Sequence, residues 1–195
     1  AKGMKLIADK CPTLASVSMM DLSVEAEAFG SEIRFSDDEV PTVIGSIVNS
    51  PEDAEKLEIP DLTKGRCLKY IAAIKSACEL IKDRPVFAGV IGPFSLAGRL
   101  MDVSEAMVNC CVEPEMVHLT MEKVSEFLIT YIKAYKEAGA NGIVMAEPLT
   151  GLLSPDLAEE FSEPYVRKIV ETVQDDDFIV IYHNCGDNIL LMVDS

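Results

Sequence analysis

The stretch AGANGIVMAE, residues 138–147, sets the architecture. Upstream of it Val117, Met121, Val124, Leu128, Tyr131 and Tyr135 recur at spacings of three and four after Pro114, a pattern that predicts one long amphipathic helix. Gly139 stops that helix, and GIVMAE follows at once as a short, unbroken apolar run that ends on an acid. A helix that feeds a buried strand through so short a turn is one half of a repeating strand–helix unit. Three more runs of the same kind stand elsewhere: LASVSM (14–19), PVFAGVIG (85–92) and FIVIYH (178–183). They are continuous rather than alternating, as parallel strands covered on both faces tend to be.

Helical patterns separate the four runs. Leu68, Ile71, Ile74, Cys78 and Ile81 mark a helix over 66–82, and Ser154–Pro155 caps another that runs to about Gln174, with Pro164 bending it. Between the first two strands, GSEIRFSDDEVPTVIGSIVNSPEDAEKL (30–57) reads as a small hairpin around SDDEV, then a short helix capped by Ser50. The fold class is therefore α/β with a parallel sheet, either doubly wound or part of a (β/α)8 barrel. Four units cannot close an eight-stranded barrel, which takes about 250 residues. Residues 1–195 form a single domain. AKGMKLIADK at one end and ILLMVDS at the other read as cut, so a barrel here is an incomplete one.

Charge narrows the function. With 33 acidic against 17 basic residues the formal charge is −16, which repels phosphate backbones and excludes a nucleic-acid binder. Cysteines 11, 67, 78, 110, 111 and 185 follow no regular spacing and read as reduced thiols, which predicts a cytoplasmic protein. No apolar run approaches the ~20 residues of a membrane span, and none resembles a signal peptide.

In both architectures chemistry belongs at the carboxyl ends of the strands. The first strand ends near Asp21, the second in Gly92-Pro93-Phe94, the third in Glu147-Pro148 and the fourth in His183-Asn184-Cys185-Gly186. Residues i and i+2 of an extended chain share a face, so His183 and Cys185 can reach one ion, and thiolate with imidazole favours zinc. Gly186 lets the chain turn after them, and Glu147 is within reach as a third ligand in principle. Asp21 reads either as a helix cap or as a site acid. The Gly92-Pro93 turn opens a helix whose free N–H groups could receive an anion. Cys110, Cys111 and His118 lie in helical segments and read as packing or surface. There is no dinucleotide-binding or Walker fingerprint and no G-x-S-x-G elbow.

Taken in order, MDLSVEAEAFG, GPFSLAGRL, AEPLTGLLSPDLAEEFSEPYVRKI and IYHNCGDN resemble the uroporphyrinogen decarboxylase family, over nearly the whole chain. The resemblance implies a (β/α)8 barrel longer than this chain. It also implies one of two chemistries. HNCG is similar to the His-x-Cys-Gly with which methylcobamide:coenzyme M methyltransferases hold zinc. That branch implies zinc on His183 and Cys185, with a further cysteine beyond Ser195. A corrinoid-binding partner protein would supply the methyl group as methylcobamide, and a small thiol such as coenzyme M would take it. The other branch decarboxylates the acetate groups of a tetrapyrrole. Asp21 stands where that branch has its pyrrole-holding aspartate, whereas Arg99 replaces a tyrosine. The expected site is thus Asp21 and Glu147 as catalytic groups, Gly92, Pro93, Phe94 and Arg99 against the substrate, and His183 and Cys185 on the metal. A non-catalytic corrinoid- or tetrapyrrole-binding module and a homodimer paired along open barrel edges complete the expectations.

Overall fold

The computed structural model describes residues 1–185. Helix α1 (Lys2–Lys10) leads into β1 (Ser16–Val17) and α2 (Val24–Ala28). The hairpin β2 (Glu32–Arg34) and β3 (Thr42–Ile44) follows, then α3 (Pro51–Lys56), α4 (Cys67–Leu80) and β4 (Val86–Ile91). Next come α5 (Pro93–Met101), α6 (Val103–Val112), α7 (Pro114–Glu137) and β5 (Gly142–Ala146). A 3-10 turn (Thr150–Leu152), α8 (Pro155–Phe161), α9 (Glu163–Val173) and β6 (Ile179–His183) complete the described chain.

The main sheet has the order β1-β4-β5-β6 with every pair parallel. Phe87 pairs with Gly142 and Gly142 with Ile179; Ile91 pairs with Ala146 and Ala146 with His183. This register sorts the side chains into two faces. Ala88, Val90, Ile143 and Met145 point to one face and are wholly buried under α4 and α7. Val17, Ile179, Ile181 and His183 point to the other, and all are exposed. Helices on a single face of a parallel sheet mark an arc of a (β/α) barrel, not a doubly wound sheet. Gly89 sits on the open face because Met20 lies across it: a Cβ there would come within 2.3 Å of Met20 Cγ.

The six apolar positions of α7 that the spacing picks out are all buried, two as the tyrosine pair Tyr131 and Tyr135. In α4 the stripe is rotated from the expected one. Cys67, Ile74 and Ala77 are inside, whereas Leu68 is half exposed. The hairpin forms as read, with Arg34 paired to Thr42, and Ser50 caps α3 through the Asp53 N–H. The single bent helix expected over 154–174 is instead two helices divided at Ser162. Pro164 has no N–H to offer the Glu160 carbonyl, but costs nothing in the first turn of a new helix. No helix among the described residues is long and apolar enough to cross a membrane.

Candidate active site at the carboxyl edge of the sheet

His183 closes β6 on the open face and Cys185 follows two residues later; both side chains are exposed. Cys185 Sγ lies 3.4 Å from His183 Nε2. A tetrahedral zinc with Zn–N of about 2.0–2.1 Å and Zn–S of about 2.3 Å separates its nitrogen and sulfur by about 3.5 Å. The pair is therefore already spaced as two corners of such a site. Among the described residues no third His, Cys, Asp or Glu gathers with them. The turn expected at Gly186 lies outside the described residues.

Glu147 is directed elsewhere, and parity is the reason. Ala146 shares the open face with His183, so the next side chain projects to the opposite face, into the helix layer. There Glu147 is fully buried. Its Oε2 accepts the Phe94 N–H at 2.9 Å and its Oε1 the Ser95 N–H at 2.7 Å. The anion at the N-terminus of α5 is thus the protein's own carboxylate. Burial pushes this carboxyl up to about 7 even though the hydroxyl and N–H of Ser95 and the N–H of Phe94 pull it down. Glycine is required at 92, since a Cβ there would stand 2.3 Å from Glu147 Oε2. Gly92→Ala is expected to destabilise the fold by about 1–3 kcal/mol through this overlap, read as a lowered thermal midpoint.

Gly92, Pro93 and Phe94, expected to face substrate, are therefore buried against this internal cap. Arg99 is half-buried in the last turn of α5, about 9 Å along the helix from Pro93, and does not join them.

At the end of β1, Asp21 is not itself the cap of α2, a place Ser23 takes, but it is bonded to that cap and to Arg66. Its Oδ1 receives the Ser23 N–H and hydroxyl at 3.0 and 2.6 Å and so turns the chain into α2. Its Oδ2 pairs with Arg66 Nη1 and lies 3.4 Å from the Tyr70 hydroxyl. Burial alone would raise the Asp21 carboxyl, but the Ser23 and Arg66 bonds outweigh it and hold it below the usual carboxylate range. Arg66 also binds Glu27 at 2.5 Å and Ser23 Oγ at 2.8 Å, and its guanidinium lies 4.9 Å from the Phe35 ring centroid. Arg66 and Tyr70 escape a reading of the sequence because they come from the start of α4 and the residue before it, more than forty residues away; no local spacing signals them.

His118 packs as expected, stacked on Phe161 at 4.6 Å with Nδ1 2.8 Å from the Tyr165 hydroxyl. Cys110 is buried, but Cys111 is exposed rather than packed.

Backbone bonds tie the strand ends into one edge. The Gly92 N–H bonds the Ala146 carbonyl at 2.7 Å, and the Glu147 N–H bonds the His183 carbonyl at 2.8 Å.

Residues 11–194 match the family model described as Uroporphyrinogen decarboxylase (URO-D). The methylcobamide:CoM methyltransferase MtbA of Methanosarcina acetivorans is 33% identical over 171 residues, which cover 86% of this chain and 50% of that protein. A uroporphyrinogen decarboxylase of Desulfotalea psychrophila is 27% identical over 187 residues, 91% of this chain and 54% of that one. Among solved structures, a methyltransferase from Methanosarcina mazei superposes with a TM-score of 0.85 at 27% identity, covering 94% of this chain and 55% of its own. The chain spans about half the length of these relatives.

Proposed function

The chain belongs to the uroporphyrinogen decarboxylase family, and we propose that the protein carrying it transfers a methyl group from a methylcobamide-bearing corrinoid protein to a small thiol such as coenzyme M. The observation that supports this reading is the His183–Cys185 pair, spaced for zinc on the open face at the carboxyl edge. Zinc held there would supply the Lewis acidity that lets a thiol release its proton near neutral pH. The chain's own residues do the rest of the local work. His183 and Cys185 hold the ion in part, and the Glu147 N–H pins the His183 carbonyl and so fixes where that pair stands. Ile179 and Ile181, on the same face, keep the approach apolar. Glu147 acts as the anchor of α5, and Asp21 as a charged wall at the far side of the sheet. Among the described residues no strand pairs with the outer edges of β1 and β6, which suits further strands of the same polypeptide or of a second copy.

The decarboxylase reading keeps one specific support, the Asp21–Arg66 pair at the end of β1. Elemental analysis of the full-length protein separates the two. About one zinc per chain is expected, lost in Cys185→Ala and in His183→Ala, together with methyl transfer from methylcobamide to coenzyme M. A folded wild-type protein without zinc would sink the methyltransferase reading and return the case to decarboxylation.

A further inference from the structure

Glu25 is the other buried carboxyl of the carboxyl edge, and neither reading above uses it. It sits in α2 and is 2% exposed. Its Oε1 accepts the Ile91 N–H at 3.1 Å, which staples α2 to the end of β4. Its Oε2 has no hydrogen-bond partner among the described residues. A staple for one N–H needs one oxygen, so the second is unexplained by the fold.

Beside that carboxyl is a cavity of about 10 Å³, room for a single water molecule. Glu25, Asp21, Tyr70 and Tyr131 line it, with Met20 and Gly89 among the apolar remainder. Tyr131 accepts a hydrogen bond from the Tyr135 hydroxyl at 2.6 Å, which leaves its own O–H proton for a neighbour. Two carboxyls thus face one water-sized space, one already paired with a cation and the other not.

We propose that Glu25 is a proton-storing residue of this edge, exchanging one proton with Asp21 through a water in the cavity. In the exchange the Glu25 Oε2–H bond breaks, the water takes that proton and passes one of its own to Asp21, and the negative charge moves from Asp21 to Glu25. Nothing is oxidised or reduced. The surroundings divide the two acids in the sense that acid–base pairs require. Burial pushes Glu25 up to about 7, with the Asp21 charge adding to the rise, whereas Asp21 is held low. From α2, Glu27 faces Arg66; at the start of α4, Arg66 is the cation paired with Asp21, and burial raises Cys67 to about 12 and Tyr70 above its ordinary value; α5, also packed on α2, has Arg99 as its one charged residue. On α7, burial raises both Tyr131 and Tyr135, so they stay neutral donors. Strand β4 contributes only the Ile91 N–H. The proposal stands apart from the metal reading, since Glu25 is tied to the end of β4 and His183 closes β6, with β5 between them.

Glutamate labelled with 13C at Cδ, followed by NMR through a pH titration of the full-length protein, tests it. Two resonances are expected to titrate near neutrality, those of Glu25 and Glu147; one of them should vanish in Glu25→Gln, and that one should shift its midpoint down in Asp21→Asn. A Glu25 resonance that titrates in the ordinary carboxylate range, or whose midpoint ignores Asp21→Asn, overturns it. Stability gives a second readout. A carboxyl raised in the folded state stabilises fully below its unfolded value of 4.5 and loses that contribution as pH rises through about 7. The wild-type thermal midpoint should therefore fall over that window relative to Glu25→Gln. Parallel curves would overturn the proposal as well.

Discussion

Glu147→Ala is expected to remove about 4 kcal/mol of folding stability, a large share of what a domain of this size has. The carboxylate is the acceptor for two buried N–H groups, those of Phe94 and Ser95, at the start of α5. Alanine leaves both without an acceptor, at about 1–3 kcal/mol each, and adds the cavity left by the lost atoms. Glu147→Gln should cost less, since its amide retains one oxygen. Urea titration of the three proteins gives the ranking. The Gly92→Ala overlap is with Glu147 throughout: Oε2 at 2.3 Å, Cδ at 2.5 Å and Cβ at 2.8 Å, of which only the Cβ contact survives in Glu147→Ala. In a Glu147→Ala background the second substitution should accordingly cost less than it does alone, a non-additivity that a double-mutant cycle measures directly. Equal costs in the two backgrounds would show that the cap does not depend on this close approach.

The second large effect belongs to Arg66. Arg66→Met is expected to destabilise the protein by about 3 kcal/mol, because among the described residues it strands Asp21 and Glu27 with no other cation in contact. Both acids are mostly shielded from water, with side chains 12% and 23% exposed, so solvent recovers only part of the loss. The pH dependence has a definite sign. Asp21 is depressed in the folded state, so its contribution is present above its unfolded value of 3.8 and disappears as pH falls below that. The gap between wild type and Arg66→Met should therefore be widest near neutral pH and close in acid. Melting curves at pH 7 and pH 3 would show it; a gap that widened in acid would contradict the ion-pair account.

These two groups also show what a sequence can disclose. The four strands were legible because parallel staves buried under helices are written as continuous apolar runs, and GIVMAE or FIVIYH admits little else. The His183–Cys185 pair was legible because a period of two is local: two residues apart means one face. Arg66 and Asp21 meet across 45 positions of chain, a distance at which neither carries a mark of the other. Glu25 was hidden for a different reason. In LSVEAEAFG an acid every second residue carries no mark of burial, and only the packing of α2 against α4 and α5, with the bond to the Ile91 N–H, shows that Glu25 is fully inside and Glu27 only partly so. Glu147 was seen as special, but its direction was not, because that depends on the register between β5 and β6. The division at Ser162 was missed because Pro164 fits a bent helix and the start of a new one equally well on paper.

The alternation at the end of β5 and β6 has a consequence for how such a protein can diverge. Side chains that anchor the edge, Glu147 above all, project into the helix layer, whereas His183 and Cys185 project from the open face. A lineage that exchanged either of the latter for another residue would alter the exposed chemistry of the edge and leave the anchors of the scaffold in place. Inheritance can thus revise the reactive surface in single steps without first having to rescue the fold, and one stave pattern can serve descendants with unrelated reactions.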